Sequence, residues 1–122
     1  MKVLITGATG FLGPYLVREL LQEGHTCRCL VREGADTRGI DLAGVETVRG
    51  DVTRKETLHG AAEGAEGVFH LATLGHMSNF RVTEAMFEEV NVQGTLNVME
   101  EALRSRVSRV VHSSTEAAMG IV

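Results

Sequence analysis

Near its N-terminus the chain reads Lys2-Val3-Leu4-Ile5-Thr6-Gly7-Ala8-Thr9-Gly10-Phe11-Leu12-Gly13. The first part is an apolar, β-branched run that a glycine ends, which predicts a buried strand over Lys2–Thr6. Beyond the glycines, apolar residues recur at helical spacing, and Pro14 is tolerated only in the first turn of such a helix. The stretch therefore predicts a strand, a tight glycine turn and a helix over residues 11–23.

The three glycines of this turn are spaced G-x-x-G-x-x-G, whereas the common dinucleotide fingerprint is G-x-G-x-x-G. Gly7 permits a tight turn, Gly10 lets a pyrophosphate approach the backbone, and Gly13 lets the helix pack closely on the sheet. The N–H groups of Phe11 and Leu12 would then face phosphate oxygens, assisted by the helix dipole. Glycines that only make a turn are the alternative, but three at this spacing exceed what a turn requires. We therefore predict a dinucleotide site.

Strands and helices alternate along the rest of the chain. Strands are predicted at 26–31, 45–48, 67–72 and 108–113, and helices at 53–62 and 83–105. Thr53 and Glu56 have the spacing of a capping box at the start of the first of these helices. Alternation of this kind means a parallel sheet with helices on both faces. We expect an α/β fold of the Rossmann type, a doubly wound parallel sheet with strand order 3-2-1-4-5.

Composition limits the class of protein and partner. The 122 residues fit a single domain, residues 1–122, and the net charge of −4 argues against nucleic acid as the partner. No apolar run reaches the roughly 18 residues that a membrane span needs, so no membrane partner is expected. Cys27 and Cys29 lie two apart in a predicted strand, which is poor disulfide geometry, so reduced thiols and a cytoplasmic location are expected. No histidine pairs with cysteine or carboxylate at metal-ligand spacing, so no metal site is expected.

The end of the second strand bears on the choice between NAD and NADP. Val31 stands where an NAD-binding protein would carry a carboxylate, and Arg32 follows it. A guanidinium suits the 2′-phosphate of NADP, so NADP is favoured, with a solvated surface cation as the alternative reading of Arg32. Glu33 and Asp36 keep NAD open. Asp51, after the third strand, could accept from the adenine amino group or serve only as a loop or cap residue.

Together these motifs resemble the N-terminal part of an extended short-chain dehydrogenase/reductase of the NAD-dependent epimerase/dehydratase type. The matching segments follow the family's order and spacing; they are residues 6–13, 50–52, 69–72, 91–95 and 110–115. The resemblance implies a Rossmann domain that is incomplete at its C-terminal side and truncated relative to the family. It also implies a sugar-nucleotide or carbonyl substrate for the full-length family.

The resemblance assigns roles to individual residues. Asn91 would brace the centre of the sheet from the long helix, unless it is simply an exposed polar residue. Thr115 matches the family's catalytic Ser/Thr, which hydrogen-bonds the substrate's reacting oxygen; a strand-end hydroxyl that satisfies local backbone is the alternative. The expected cofactor-binding residues are Gly7, Thr9, Gly10, Phe11, Leu12, Gly13, Arg32, Asp51, Val52, Leu71, Ala72, Thr73 and Asn91.

One family feature is missing from the sequence. The family's general acid/base is the tyrosine of a Tyr-x-x-x-Lys motif beyond the catalytic Ser/Thr, and the only tyrosine here is Tyr15 in the first helix. We therefore expect the cofactor-binding part of a reductase or epimerase, not catalytic alone. A non-catalytic, redox-sensing or regulatory module and a complete small reductase with an atypical acid/base are the alternatives.

The predicted fifth strand would form an unprotected sheet edge. One face of the long helix, with Val90, Leu96, Val98 and Leu103, would also be left bare. We therefore expect the isolated chain to be marginally stable or to self-associate as a homo-oligomer.

Overall fold

The computed structural model describes residues 1–75 and 81–120. The strands and α-helices are β1 Lys2–Thr6, α1 Gly13–Gln22, β2 Thr26–Val31, β3 Glu46–Arg49, β4 Gly67–His70, α2 Glu84–Phe87, α3 Gly94–Arg104 and β5 Arg109–His112. A π-helical turn, Glu88–Gln93, joins α2 to α3 in one continuous helical stretch. Short 3-10 helices lie in the connections, at Leu42–Gly44, Lys55–Leu58 and Glu116–Met119.

The strands form a parallel, five-stranded sheet in the order β3-β2-β1-β4-β5. The α/β doubly wound fold and its strand order are therefore confirmed. After β1 the chain builds the sheet in one direction through β2 and β3, and then returns to add β4 and β5 on the other side of β1. This reversal opens a crevice at the carboxyl ends of β1 and β4, where ligands bind in such sheets.

Alternate side chains of the strands build an apolar core on each face of the sheet. The core on the α1 face consists of Val3, Ile5, Ala8, Val17, Cys27, Cys29 and Ile40. The core on the α3 face consists of Leu4, Leu30, Val52, Leu58, Ala61, Ala62, Ala65, Val68, Val98 and Ala102. Both cysteines are unbridged and buried on one face, as their spacing predicts. Burial, with Cys27 close by, raises the pKa of Cys29 to about 11, so this thiol stays protonated.

The start of α1 depends on close backbone packing. A Cβ at Gly13 would lie 2.2 Å from the carbonyl oxygen of Ala8, so only glycine allows the helix to begin this near the sheet. Pro14 occupies the first turn, as predicted, and no side chain caps the helix at Leu12. The helix ends before Gly24, which takes a left-handed φ of 85°.

The predicted capped helix over residues 53–62 is wrong. The Thr53 hydroxyl does not cap a helix; it donates to Asp51 Oδ1 at 2.8 Å and stabilises a local turn. Gly60 takes a φ of 83°, which no residue of an α-helix adopts. This segment therefore forms one short 3-10 helix followed by turns.

The long helix begins after Thr83, whose hydroxyl accepts from the Met86 N–H at 3.2 Å. The prediction of a bare face is wrong for Val98, which is 2% exposed in the core, and right for Leu103, which is 80% exposed. β5 forms an edge of the sheet, with Val111 44% exposed. Self-association stays a prediction.

Replacing Gly13 with alanine should destabilise the fold by about 2 to 3 kcal/mol, because the new Cβ would overlap the Ala8 carbonyl. Gly24→Ala is the matched control, since no atom lies within 4 Å of its added Cβ. Only left-handed backbone strain of about 1 kcal/mol applies there. Urea unfolding followed by circular dichroism measures both losses, and equal losses would contradict the packing argument.

Candidate functional site

A cavity of about 510 Å³ opens at the carboxyl ends of the strands. Residues that follow each of the five strands contribute to its wall, together with two residues of the π-helical turn. The predicted residues in the wall are Gly7, Thr9, Gly10, Phe11, Leu12, Gly13, Arg32, Asp51, Val52, Leu71, Ala72 and Thr73. The crevice at the topological switch point thus brings together most of the predicted site. Their contacts with a cofactor stay predictions.

The wall also contains residues that sequence reasoning missed. They are Leu30, Gly50, Thr53, Leu74, Glu89, Val90 and Ser113. Most of them lie at the carboxyl ends of strands, so the strand ends alone could have indicated them. Glu89 and Val90 come from the π-helical turn, whose orientation towards the cavity has no signal in the sequence.

The glycine loop leaves room for an anion beside the start of α1. Gly7 takes a φ of 73°, and the N–H of Gly10 donates to the Gly7 carbonyl at 3.0 Å. Within the described residues, the N–H groups of Phe11 and Leu12 have no hydrogen-bond partner. Free N–H groups at the start of a helix favour a phosphate group. The loop geometry therefore fits a pyrophosphate.

Two of the loop glycines differ in what surrounds them. A Cβ at Gly7 would lie 2.6 Å from the backbone nitrogen of Ala72, so this glycine packs directly against the segment after β4. A Cβ at Gly10 would meet only the Gly7 carbonyl, at 3.3 Å, and Gly10 is exposed. A side chain at Gly10 would therefore enter the space of the cavity without disturbing the core.

The charged groups near the end of β2 are unequally engaged. Glu33 Oε1 lies 3.8 Å from Arg49 Nη1, and Asp36 Oδ2 lies 2.7 Å from Arg38 Nη2. The Arg38 side chain also lowers the pKa of Asp36. Arg32 is exposed in the cavity wall and forms no ion pair with any residue in the described ranges. Glu33 and Asp36, the two carboxylates that could favour NAD, thus each have a cationic neighbour. The guanidinium of Arg32 has no anionic partner among the described residues.

The two carboxylate oxygens of Asp51 have different surroundings. Its Oδ1 accepts from the N–H of Thr53 at 2.9 Å and from the Thr53 hydroxyl at 2.8 Å, which makes it a turn residue. Its Oδ2 has no partner among the described residues, and Asp51 also lines the cavity. The next residue, Val52, is held by the buried Asn97, whose Nδ2 donates to the Val52 carbonyl at 2.7 Å. Sequence reasoning missed Asn97 because its partner lies far away along the chain.

Asn91 lies behind the cavity wall and not in it. Its Oδ1 accepts from the Leu74 N–H at 2.8 Å and from the Thr73 hydroxyl at 3.0 Å. Its Nδ2 donates to the Leu74 carbonyl at 3.0 Å. Asn91 therefore braces the segment after β4, whereas the resemblance predicts that it braces the centre of the sheet.

His70 is buried beside this segment, at 1% exposure. Its Nδ1 lies 2.6 Å from Thr6 Oγ1, and its Nε2 lies 3.0 Å from Thr95 Oγ1. The ring stacks on that of His112, with centroids 5.3 Å apart. Burial, and to a lesser degree His112, lowers the pKa of His70 to about 4. His70 is therefore neutral near pH 7.

Thr115 lies outside the cavity wall, in the exposed segment after β5. It precedes the 3-10 helix Glu116–Met119, and its Oγ1 accepts from the Ala117 N–H at 3.3 Å. Ser113, two residues earlier, does line the cavity. The catalytic role of Thr115 stays a prediction.

Comparison with known proteins gives the family. The sequence profile of the NAD dependent epimerase/dehydratase family matches residues 3–122. The chain belongs to this family. Among curated proteins it is 40% identical over 121 residues to Sterol demethylase protein B of Methylococcus capsulatus, covering 99% of this chain and 36% of that protein. It is 34% identical over 117 residues to a putative dihydroflavonol 4-reductase of Synechocystis, covering 96% of this chain and 33% of that protein.

Solved structures of other proteins match the fold of this chain. A UDP-glucose 4-epimerase superimposes with a TM-score of 0.85 at 25% identity, covering 100% of this chain and 38% of that one. The Bordetella bronchiseptica enzyme WbmG, in complex with NAD, superimposes with a TM-score of 0.83 at 27% identity, covering 98% of this chain and 39% of that one. The chain thus spans about a third of the length of its curated relatives.

Across residues 1–75 and 81–120, no helix has the length and apolar character to cross a bilayer. In the same ranges, no three histidine, cysteine or carboxylate side chains converge to hold a metal ion.

The free energy of unfolding should fall as the pH drops from 6.5 towards 4. The pKa of His70 is about 4 in the fold, against an ordinary 6.5, so the unfolded chain binds more protons in this window. The stabilisation is fully present above pH 6.5, and its loss reaches roughly 1 to 3 kcal/mol near pH 4. Urea unfolding at several pH values across this range gives the free energy of unfolding as a function of pH. This dependence on pH should be weaker in His70→Asn than in the parent chain. His59→Asn, at an exposed histidine, is the control, and an unchanged slope in His70→Asn would refute the assignment.

Proposed function

We propose that this chain is the NAD(P)-binding part of an NAD(P)-dependent reductase or epimerase. The observation that carries the proposal is the glycine loop at the switch point. It leaves the N–H groups of Phe11 and Leu12 unpaired beside the start of α1, in the wall of a cavity of about 510 Å³. Such a helix start holds a pyrophosphate by backbone N–H groups and the helix dipole. The bound nicotinamide supplies hydride transfer.

The proposed cofactor is NADP, with NAD as the second candidate. The guanidinium of Arg32 has no protein partner among the described residues. It could donate two hydrogen bonds to the oxygens of a 2′-phosphate. The carboxylates of Glu33 and Asp36, which would accept from the ribose 2′-OH of NAD, each lie beside an arginine. NAD remains the second candidate because the similar WbmG forms a complex with NAD.

The rest of the dinucleotide would follow the cavity wall. Asp51 Oδ2 is the proposed acceptor for the adenine amino group, and Val52 borders the ring. The ribose and nicotinamide would pass along Leu71, Ala72 and Thr73, which come directly after β4. This path crosses the switch point from β3 to β4, as in other doubly wound folds.

The proposal includes that these 122 residues bind cofactor without turning over substrate. Hydride transfer to a carbonyl needs a positioned acid. The only tyrosine of the sequence is Tyr15, in α1. Its ring forms a tilted pair with that of Phe11, with centroids 6.0 Å apart, and the guanidinium carbon of Arg18 lies 5.2 Å from its centroid. Thr115 is proposed to hold the reacting oxygen of a sugar-nucleotide or carbonyl substrate. Thr115 Oγ1 accepts from the Ala117 N–H, so the hydroxyl proton of Thr115 remains free to be donated to the substrate oxygen.

The same proposal covers location and assembly. Unbridged thiols at Cys27 and Cys29 favour a reducing compartment such as the cytoplasm. The exposed edge strand β5 favours a homo-oligomer. Analytical ultracentrifugation tests the second claim, because a monomer at all concentrations would contradict it.

Calorimetric titration of the chain with NADPH and NADH tests the choice of cofactor. NADPH should bind more tightly, and Arg32→Ala should weaken NADPH binding about 10- to 100-fold while leaving NADH nearly unchanged, since a charge-assisted pair is lost. Arg18→Ala, at an exposed arginine outside the cavity wall, is the matched control. Equal losses for both cofactors would refute the 2′-phosphate role, and no binding of either by folded protein would refute the proposed function.

Gly10→Ala separates a phosphate site from a plain turn. The added methyl group enters the cavity, so dinucleotide affinity should fall about tenfold while stability changes by less than about 1 kcal/mol. Gly44→Ala serves as control, because Gly44 is also exposed and lies outside the cavity wall. If Gly10→Ala binds as tightly as the parent chain, the loop is a turn and nothing more.

A further inference from the structure

A circuit of hydrogen bonds runs behind residues 72–74, which form the cavity wall after β4. The Ala72 N–H donates to Thr6 Oγ1 at 3.2 Å, and this oxygen lies 2.6 Å from His70 Nδ1. The other ring nitrogen of His70 lies 3.0 Å from Thr95 Oγ1. His70 thus connects β1, β4 and α3 directly behind the wall.

The circuit closes through the π-helical turn. The Thr95 hydroxyl donates to the Asn91 carbonyl at 2.7 Å. The Asn91 side chain returns to the wall, where it pairs with the N–H and carbonyl of Leu74 and accepts from the Thr73 hydroxyl. Both ends of the segment 72–74 are therefore held by one connected set of polar groups, and Ala72 abuts Gly7 of the glycine loop.

The proton positions follow from the donors and acceptors. The Thr95 proton is used on the Asn91 carbonyl, so Thr95 Oγ1 accepts, and the Nε2–H of His70 must donate to it. A neutral ring then has a bare Nδ1, which accepts the proton of the Thr6 hydroxyl. The lone pairs of Thr6 Oγ1 remain for the Ala72 N–H. Only the neutral, Nε2-protonated ring satisfies every member.

We propose that His70 is a positioning residue for the dinucleotide: its neutral ring fixes residues 72–74 before the cofactor arrives and thereby sets the affinity. This rests on the proposed function. His70 does not line the cavity, so it acts only through Ala72 and Asn91. Residues 72–74 are already ordered in the free chain, so binding costs no further conformational entropy there. A smaller entropy cost on binding is how preorganisation raises affinity.

A second proton on the ring would break the circuit. Nδ1–H would then face Thr6 Oγ1, which would accept from two N–H groups and leave its own proton without its present acceptor. From the elements around the ring, β5 presents the titratable His112, whereas β1 and α3 present the hydroxyls of Thr6 and Thr95. Dinucleotide affinity should therefore weaken in the acidic range where His70 titrates.

Paired substitutions dissect the circuit. His70→Asn keeps a group near Thr6 and loses the contact with Thr95, whereas His70→Gln does the reverse. Thr95→Val removes one hydroxyl at nearly constant shape. Each of these should raise the Kd for NADPH about 3- to 10-fold at neutral pH, as expected for one lost hydrogen bond. Thr47→Val, at an exposed threonine of β3, is the control and should bind like the parent chain.

Two readouts distinguish positioning from a purely structural role. Calorimetry between neutral pH and pH 4 should show weaker binding by the parent chain in acid, and a flatter profile of Kd against pH for both His70 variants. Imidazole ¹⁵N NMR of the free chain should show the Nε2–H tautomer at His70. An Nδ1–H tautomer would overturn the proposal, as would variants that remain folded and bind NADPH with the parent Kd.

The outcomes also separate this inference from the proposed function. If the parent chain binds NADPH and the folded variants bind equally well, only the role of His70 is wrong. If the folded parent chain binds neither NADPH nor NADH, the proposed function fails and the affinity claim falls with it. If both His70 variants fail to fold, Thr95→Val and the NMR tautomer of the parent chain decide the question.

Discussion

The close approach of backbone to backbone at the glycine loop is the constraint on which the rest of the structure depends. Gly13 sits so near the Ala8 carbonyl that α1 can pack over β1 only without a side chain there, and a Cβ on Gly7 would likewise overlap the backbone of Ala72. The first contact fixes the helix start beside the sheet, and the second fixes the segment after β4 beside the loop. Both sides of the crevice are thus placed by contacts that allow no Cβ, before any ligand is present.

Much of the fold could be predicted because its signals are local. The β1 run, Pro14 and Gly24 determine the first unit within a short stretch, and alternation of strands and helices then leaves few topologies. The candidate site follows from the same topology, since the carboxyl ends of parallel strands meet at the switch point. Arg32 and Asp51 could be placed in the wall for this reason alone.

What could not be predicted depends on partners distant in sequence. Asn97 holds the Val52 carbonyl, and the buried Glu101 accepts from the N–H of Ala62. Neither pairing has a periodic or composition signal. The turns after β3 were misread because Thr53 and Glu56 have capping spacing, whereas the Asp51 carboxylate takes the Thr53 hydroxyl first. Polar contacts between residues distant in sequence, and competition between alternative local hydrogen bonds, therefore could not be predicted from the sequence.

The π-helical turn Glu88–Gln93 sets the rotational register of the long helix. Each residue of a helix advances by about 100°, so the wider turn rotates everything after it relative to everything before it. Within the turn, Glu89 and Val90 face the cavity; downstream of it, Val98 and Ala102 face the core. Loss of one residue from this turn would restore regular helix but swing the apolar stripe of α3 away from the sheet. The length of this turn is therefore fixed by the packing of the cavity wall and of the core, unlike the length of the surface connections of the fold.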